Sequence, residues 1–219
     1  MARGTNHAPV HISTADEAAL FEPGPVKGKQ ISAETCVHFL PFDDRDYEKF
    51  GFLIKCNPAI KTSADRAGII RALAEDRINV LATDRAPHLP EEKGQLYDQP
   101  PSGLPLVQFA LQVALQRVAE GQLTLEQVAE VVSHAPATRF DVKQRGYLRE
   151  GYAADLVLVD PAKPHTLIRE EVLSKCGWSP FERCTFDCSI AATFVKGQRV
   201  WDGSTVDDTV RGQRLTFPR

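Results

Sequence analysis

The chain has 219 residues, of which 42% are hydrophobic and 25% charged, and its formal net charge is −3. This composition is typical of a globular protein of one or two domains, and the small negative charge argues against nucleic acid or anionic membrane as the main partner. No apolar run approaches the roughly 20 residues that a membrane-spanning helix needs, and the N-terminus lacks the apolar stretch of a signal peptide. The five cysteines are scattered without a C-x-x-C pair, so we expect reduced thiols in a cytoplasmic protein.

The first part of the chain alternates strand-like and helical runs. The pattern predicts, in chain order, strand 8–14, helix 15–22, strand 29–38, helix 63–77 and strand 78–84. Thr14 or Ser13 is the expected N-cap of the first helix, and Ser63 that of the second. This alternation indicates parallel βαβ units, because neighbouring parallel strands need a crossover connection.

The sequence pattern changes from helical to β-rich near residue 145. The patterning predicts two amphipathic helices at 103–121 and 124–140, then two β-rich runs at 146–160 and 189–203. Glycine and proline turns separate the β-rich runs, and the last residues are polar. We therefore expect an α/β part followed by a small β module with a loosely held tail.

Two polar residues stand at the predicted C-terminal ends of strands, His11 and Asp84. In a β/α barrel these ends converge on one mouth, so side chains far apart in sequence could share a metal ion there. Imidazole and carboxylate are both suitable ligands for Zn²⁺, and a carboxylate can also take a proton and pass it to a leaving nitrogen. The alternative is structural, with His11 as a hydrogen-bonded strand residue and Asp84 as a loop cap.

Six segments, in their order along the chain, resemble the C-terminal half of a dihydroorotase. They are HISTADE, ISAETCVH, KCNPAIKTSADR, ATDRAPH, PPSGLPLVQFAL and GYLREGYAADLVLVD. Dihydroorotases belong to the amidohydrolase superfamily of metal-dependent β/α barrels. The resemblance covers about residues 9–203, and the ordered set is far more specific than any single segment. GYAADLVLVD alone indicates only the superfamily, whereas KCNPAIK points more narrowly to dihydroorotase than to the related hydantoinases.

The resemblance implies roles for five residues. His11 matches a metal-binding histidine, and Asp84 matches an aspartate that ligates the metal and acts as general base and then acid. Asn57 matches a residue that contacts the pyrimidine ring, and His88 one that helps to hold the substrate carboxylate. Gly103 matches a loop position whose backbone meets the ring amide. The implied cofactor is zinc, with one or two ions in the complete family enzyme.

The resemblance also implies the fold class. We expect an α/β fold with the last three strands of a metal-dependent, TIM-like β/α barrel, followed by a small C-terminal β module. The expected domains are residues 1–145, as the barrel part, and residues 146–219, as a flanking β-sandwich-type segment and polar tail. The family's upstream H-x-H pair, bridging lysine or aspartate, further metal histidine and substrate arginine have no match here. We therefore expect an N-terminally incomplete chain that is inactive alone and binds zinc poorly.

The implied activity is the interconversion of dihydroorotate and N-carbamoyl-L-aspartate in pyrimidine biosynthesis, with a small-molecule substrate. Two alternatives stay open. One is another cyclic amidase, such as an allantoinase or a hydantoinase. The other is a non-catalytic, dihydroorotase-like structural partner, for example of aspartate transcarbamoylase. The expected partners are accordingly a missing N-terminal half, a second copy of the chain or aspartate transcarbamoylase.

Arg85 departs from the family pattern, which has a histidine at this position. Arginine cannot act as an acid or base near neutral pH, and it is bulkier than histidine. If it faces the site, its charge lowers the pKa of Asp84, and if it points outward, little changes. His38 lies near the mouth in the resemblance, with a structural hydrogen bond as the alternative. Other residues have ordinary structural explanations: Cys36 and Cys56 as packed thiols, residues 91–93 as a solvated loop, and Trp178 and Phe181 as loop anchors.

Overall fold

Three parallel segments form the centre of the α/β part. The computed structural model describes residues 10–94 and 100–217. Strand β1 (Ala33–Cys36) pairs in parallel with β2 (Ile78–Ala82), and Ile12 forms a parallel bridge with Thr35 on the other side of β1. The predicted parallel α/β arrangement is confirmed. Within the described ranges, these segments do not close a barrel.

Short helices surround these strands. In the described ranges they are α1 (Ala15–Ala19), α2 (Asp46–Phe50), α3 (Ser63–Ala74), α4 (Pro90–Lys93), α5 (Ala110–Ala119), α6 (Leu125–Ala129) and α7 (Ala135–Arg139). A π-helical segment, Glu130–His134, joins α6 to α7, and 3-10 turns occupy Val37–Phe39, Gly51–Ile54, Val107–Phe109 and Arg169–Glu171. α1 and α3 lie on the crossovers between the parallel segments and pack against each other. None of the described helices is long and apolar enough to cross a membrane.

Threonine caps define where the crossover helices begin. Thr14 caps α1 through a capping box, as one of the two predicted alternatives. Thr62 caps α3, so the prediction of Ser63 was wrong by one residue; the Thr62 side chain accepts the N–H of Asp65. The Asp65 carboxylate also accepts the Ala15 N–H at 3.1 Å. This bond ties the start of α3 to the start of α1.

Several predicted elements are shorter than expected, among them the first strand and the helix at 103–121. The strand predicted at 8–14 is reduced to the bridge at Ile12, with residues 8 and 9 outside the described ranges. The helix predicted at 103–121 begins as an α-helix only at Ala110, after a 3-10 turn at Val107–Phe109. Pro105 disfavours the helical conformation of Leu104 before it, which accounts for the start of the difference. Leu104 instead forms a parallel bridge with Arg85. This extends the parallel arrangement beyond the end of β2.

The C-terminal segment is antiparallel. Strands β3 (Leu156–Asp160), β6 (Ser189–Val195) and β7 (Gln198–Trp201) form one sheet in the order β3-β6-β7, and β4 (His165–Thr166) pairs with β5 (Thr185–Phe186). Leu156, Val157 and Leu158 are all exposed, although neighbouring strand residues point to opposite faces. Both faces of β3 therefore present apolar side chains to solvent. The domain boundary at residue 145 stays a prediction.

Aromatic side chains join the C-terminal segment to the α/β part. Four buried phenylalanines form the contact: Phe42, Phe109, Phe181 and Phe186. Phe42 and Phe181 stack with their centroids 5.6 Å apart. The Trp178 indole donates a hydrogen bond of 2.8 Å to the carbonyl of His88. These contacts agree with the predicted anchoring role of Trp178 and Phe181.

Candidate metal and catalytic site

His11 and Asp84 lie together at one edge of the parallel segments. His11 directly precedes Ile12, which bridges to β1, and Asp84 follows the end of β2 by two residues. β1 lies between them, so the parallel register carries both residues to the same edge. The distance from His11 Nε2 to Asp84 Oδ1 is 3.8 Å, and each side chain is 29% exposed. The structure therefore brings together the two residues predicted as metal ligands.

The backbone at both residues is left-handed. His11 has a φ of 62° and Asp84 a φ of 43°, in a region that residues other than glycine rarely adopt. Such conformations cost about 1–3 kcal/mol each and persist only where the surroundings impose them. Here the Ile12 N–H donates to the Glu34 carbonyl at 2.9 Å, and Arg85 is bridged to Leu104. Each strained residue is thus adjacent to a backbone pairing that holds it.

Cys36 contacts the other side of the His11 ring. Its Sγ lies 2.9 Å from His11 Nδ1, at hydrogen-bonding distance, while Nε2 faces Asp84. The thiol is fully buried, and burial raises its pKa well above the ordinary range, so it is neutral. Cys36 is the packed thiol that we predicted, but its bond to the histidine was missed. A metal bound at Nε2 would require the ring proton to be on Nδ1, which would then donate to the sulfur, and such a bond would orient a metal-binding histidine.

The donor set is chemically suited to zinc. Among the described residues, His11, Cys36 and Asp84 offer nitrogen, sulfur and oxygen atoms within 4.8 Å of one another. Zinc binds nitrogen and oxygen at about 2.0–2.2 Å, so two ligands 3.8 Å apart can reach a single ion. The Sγ···Nδ1 contact is a direct hydrogen bond, which suits Cys36 to orienting His11 rather than to a third coordinating position. His11 and Asp84 thus fit a metal ion as two of its ligands.

Glu34 is a second acidic residue of this site, and the sequence reasoning did not identify it. It lies two residues before Cys36 on β1, so both side chains project from the same face of the strand. Burial raises the pKa of the Glu34 carboxyl against the lowering effect of His11, and the charge of Asp84 raises it further. The alternation of Glu34 and Cys36 in a predicted strand was the available signal. The candidate site therefore contains a second carboxyl group, whose pKa is raised by its burial.

Asn57 and Gly103 lie on adjacent loops. Asn57 is exposed and precedes Pro58 through a cis peptide bond. The Gly103 N–H donates to the Lys55 carbonyl at 3.0 Å, which brings the second loop against the first. Gly103 has a φ of +131°, and a Cβ there would lie 2.4 Å from that of Ala86. Glycine is required at position 103 for both reasons, and Ala86 connects this loop to the segment that carries Asp84.

His88 is held from two sides. Its Nδ1 lies 3.8 Å from Glu92 Oε2, and its carbonyl accepts the indole N–H of Trp178. The side chain is 29% exposed, like those of His11 and Asp84. His88 and Asp84 share the segment that follows β2. The ring is therefore available to a ligand, while its backbone is fixed by the C-terminal segment.

Lys93 corrects the prediction of a solvated loop at 91–93. These residues form most of α4, and Lys93 is only 1% exposed. Its ammonium donates to the carbonyls of Lys55, Pro101 and Gly103 at 2.9, 3.0 and 3.1 Å. A lysine is rarely buried unless it is paired, and here three backbone acceptors receive its three donors. Glu91 and Glu92 are exposed, as predicted.

Arg85 is exposed to solvent, whereas His38 is buried. Arg85 is exposed, and within the described ranges no ion pair joins it to Asp84, which favours the outward orientation. His38 is buried, but no described residue hydrogen-bonds either ring nitrogen, so the predicted hydrogen bond was wrong. Burial lowers the pKa of His38 to about 3, with a smaller contribution from His11. His38 is therefore neutral.

Two surface clefts lie away from His11 and Asp84. One, of about 340 Å³, is lined by residues that include Asn79, Glu126 and Glu130. The other, of about 290 Å³, is lined by residues that include Phe42 and Phe186. Neither includes a predicted site residue. The candidate site is therefore defined here by its side chains and not by either of these two clefts.

Comparison with known proteins identifies the family. The profile of the amidohydrolase family matches residues 33–200. The chain belongs to the amidohydrolase family. Members of this family generally bind metal, in agreement with the donor set of His11, Cys36 and Asp84. The resemblance to dihydroorotase drawn from the sequence motifs is confirmed by the relatives described next.

Several curated amidohydrolases are similar to this chain in sequence. It is 36% identical to a dihydroorotase of Halobacterium salinarum, over 91% of this chain and 46% of the relative. It is 31% identical to a dihydroorotase of Endomicrobium trichonymphae, over 87% of this chain and 46% of the relative. An allantoinase of Bacillus velezensis is 34% identical, over 88% of this chain and 42% of the relative. The chain thus spans about half the length of the curated amidohydrolases that it matches.

Solved structures show the same fold. The L-hydantoinase of Arthrobacter aurescens superposes with a TM-score of 0.88 at 24% identity, covering 97% of this chain and 49% of the hydantoinase. The dihydropyrimidinase of Brevibacillus agri gives a TM-score of 0.81 at 21% identity, over 91% of this chain and 45% of that one. This chain therefore has the amidohydrolase fold over about half the length of those enzymes.

Proposed function

We propose that this amidohydrolase chain carries part of the active site of a dihydroorotase-type cyclic amide hydrolase. The single observation that carries the proposal is the 3.8 Å approach of His11 Nε2 to Asp84 Oδ1 at the edge of the parallel segments. Sequence similarity to two dihydroorotases, at 36% and 31% identity, supports dihydroorotate as the substrate. The proposed reaction interconverts dihydroorotate and N-carbamoyl-L-aspartate, in the cytoplasm and as a step of pyrimidine biosynthesis.

His11 and Asp84 are the proposed metal ligands, with Cys36 orienting the His11 ring through Nδ1. A zinc ion bound there would supply Lewis-acid polarisation of the amide carbonyl and would lower the pKa of water. Asp84 is the proposed general base, taking a proton from the attacking water and returning it to the departing ring nitrogen. Its side chain is 29% exposed, so the carboxylate is within reach of solvent.

Asn57, His88 and Gly103 are the proposed substrate contacts. In the proposed arrangement, the Asn57 side chain and the Gly103 backbone meet the ring of the substrate, and His88 meets its carboxylate. The Gly103 N–H to Lys55 carbonyl bond holds the first two positions together, and the Trp178 bond holds the third. These contacts act on substrate binding rather than on metal uptake. Zinc stoichiometry should accordingly be unaffected by alanine at Asn57 or His88.

We propose that further protein ligands of the site come from polypeptide beyond this chain. A catalytic zinc usually has three protein ligands and a water, and His11 and Asp84 supply two. Within the described ranges the parallel segments form a two-stranded sheet with isolated bridges, which leaves backbone for further pairing, and β3 exposes apolar side chains on both faces. An N-terminal half like that of the relatives is the proposed partner. A second copy of the chain or aspartate transcarbamoylase are the alternatives that the experiment below separates.

A second candidate activity is that of another cyclic amidase. The 34% identity to the allantoinase of Bacillus velezensis is close to the values for the dihydroorotases. The same base and metal ligands would serve any of these cyclic amides, because the cleaved bond is an amide in each case. Discrimination between them therefore depends on the substrate contacts at Asn57, His88 and Gly103.

The test uses this chain alone and joined behind the N-terminal half of the Halobacterium salinarum relative. Both forms are assayed with dihydroorotate, allantoin and hydantoin, and zinc content and oligomeric state are measured. We expect the joined form to hydrolyse dihydroorotate fastest, and the chain alone to be inactive, to bind zinc poorly and to self-associate. Preference for allantoin or hydantoin would support the second candidate. An inactive joined form with zinc bound, together with a stable complex with aspartate transcarbamoylase, would support a structural role instead.

Asp84→Asn in the joined form tests the proposed base. We expect turnover to fall by about 10² to 10⁴, with the circular dichroism spectrum unchanged, because the amide cannot accept the proton. Asp208→Asn, at an exposed position of the C-terminal tail, is the matched control and should be fully active. Retention of more than about a tenth of the activity in Asp84→Asn would exclude Asp84 as the base.

A further inference from the structure

The buried ammonium of Lys93 lies where two loops of the candidate site meet. Its three hydrogen bonds end on carbonyls of Lys55, Pro101 and Gly103. Lys55 is two residues before Asn57, and Pro101 is two residues before Gly103. One acceptor is therefore close to Asn57 and the other two are at or close to Gly103, and these are the two residues proposed to meet the ring of the substrate.

The direct bond between the loops is weak by itself. It consists of the Gly103 N–H donating to the Lys55 carbonyl at 3.0 Å, and that same carbonyl also accepts from Lys93. A hydrogen bond in which the donor is charged is roughly twice as strong as one between neutral groups. The Lys93 ammonium is thus the stronger of the two connections between the loops.

Burial makes this connection sensitive to substitution. An ammonium removed from water loses its hydration and stays charged only if other groups replace it. Burial lowers the pKa of Lys93 to about 8, and the three carbonyl acceptors favour the charged form. A substitution that removes the ammonium would leave three carbonyls without their charged donor, at a place that water reaches poorly.

We propose that Lys93 is a positioning residue that fixes the Asn57 loop and the Gly103 loop relative to each other and thereby sets the affinity for substrate. The involvement of substrate rests on the proposed function, whereas the connection between the loops does not. Lys93 touches neither the metal ligands nor the substrate in this assignment. It acts through carbonyls of the two loops, at or near the two contact residues. Because Lys93 lies on α4, which follows Asp84 and His88 in the chain, it also connects both loops to the segment that carries those residues.

The test compares Lys93→Met, Lys93→Gln and the unmodified protein. Methionine has a similar length and no donor, and glutamine keeps two donors on a shorter side chain. Lys163→Met is the matched control, because Lys163 is exposed in the C-terminal segment. Hydrogen exchange of the Gly103 amide is measured by NMR on the joined form, because the chain alone is expected to self-associate. KM and kcat for dihydroorotate are measured on the joined form.

We expect the Gly103 amide to exchange about tenfold faster or more in Lys93→Met, with a smaller increase in Lys93→Gln and none in Lys163→Met. KM should rise about tenfold in Lys93→Met, with kcat changed less than about threefold, because misplaced contacts weaken binding. A residue with only a general structural role would lower the active fraction, and hence the apparent kcat, at constant KM. That result, or unchanged exchange at Gly103, would overturn the proposal.

A measurement on the unmodified chain covers the case in which the Lys93 variants fail to fold. The ammonium protons of Lys93 should exchange slowly enough to be observed by NMR near neutral pH, unlike those of Lys163. Fast exchange of the Lys93 ammonium would overturn the assignment whatever the variants do. If the unmodified joined form hydrolyses none of the three amides, the proposed function fails, and the exchange results alone decide whether Lys93 holds the two loops.

Discussion

Gly103→Ala is the substitution whose effect can be worked out most directly from the structure. At φ +131° the new Cβ would lie 2.4 Å from the Cβ of Ala86 and 2.5 Å from its carbonyl oxygen. The second contact is with backbone, which cannot rotate away as a flexible side chain does. The Gly103 loop must therefore move away from the segment that follows β2, or the backbone at 103 must change its conformation.

Gly24→Ala separates the destabilisation caused by backbone strain from that caused by a steric clash. Gly24 has a similar φ of +122°, but no described atom lies within 4 Å of the position of its Cβ. Alanine there bears the backbone strain without a steric clash. The comparison of the two variants therefore isolates the effect of the close approach between Gly103 and Ala86.

The expected magnitudes follow from this comparison. Backbone strain of this kind costs about 1–3 kcal/mol, which we expect for Gly24→Ala. Overpacking adds about 1–3 kcal/mol at a well-packed position, so we expect a loss of about 2–6 kcal/mol for Gly103→Ala. The difference between the variants should be about 1–3 kcal/mol. Because the Gly103 loop carries a proposed substrate contact, KM should also rise in Gly103→Ala of the joined form but not in Gly24→Ala.

Urea unfolding of both variants, followed by circular dichroism, measures the free energy of unfolding and its denaturant dependence. The slopes should match that of the unmodified chain, so that the midpoints report stability. Equal losses in the two variants would mean that Gly103 does not lie against Ala86, and the proposed arrangement of the two loops would then be wrong. A larger loss in Gly24→Ala would contradict the reasoning in the same way.

Two further substitutions test other parts of the site. The pKa of His38 is about 3 in the fold, below the ordinary value of 6.5, so the unfolded chain binds more protons between these values and stability falls as the pH drops. Between pH 7 and pH 5 the free energy of unfolding of the unmodified chain should fall by about 2 kcal/mol on account of His38, and this decrease should be absent in His38→Phe. Urea unfolding measures both, and the same pH dependence in the two proteins would contradict the neutral, buried state of His38. Arg85→His in the joined form should leave kcat/KM within about twofold, because Arg85 is exposed, and a tenfold gain would indicate that the arginine faces the metal.

Local patterns in the sequence were sufficient for part of this fold. The apolar run before Asp84 predicted β2 and the carboxylate beyond its end, and Thr14 was among the predicted caps of α1. Both predictions depend on residues close together in the chain, where propensity and capping act. The parallel pairing followed from the alternation of elements, because connections between neighbouring parallel strands must cross over.

Lys93 shows why the rest could not be predicted. A lysine beside Glu91 and Glu92 has the sequence signature of a solvated turn, and both glutamates are exposed. Its burial depends on the Lys55 carbonyl, which is distant in sequence and comes within reach only after the loops have packed. No side-chain pattern marks a backbone carbonyl as an acceptor. The contact between Cys36 and His11 escaped prediction for the same reason, since it also joins distant segments.

The position of Trp178 bears on the predicted division of the chain at residue 145. Trp178 lies after that boundary, and yet its indole donates to the carbonyl of His88, a proposed substrate contact. Phe181, three residues further on, stacks on Phe42 in the α/β part. The hydrogen bond from Trp178 thus holds the loop that carries His88, and the stack of Phe181 holds the C-terminal segment against the α/β part. The segment after residue 145 is therefore part of what positions the candidate site, whether or not it folds as a separate domain.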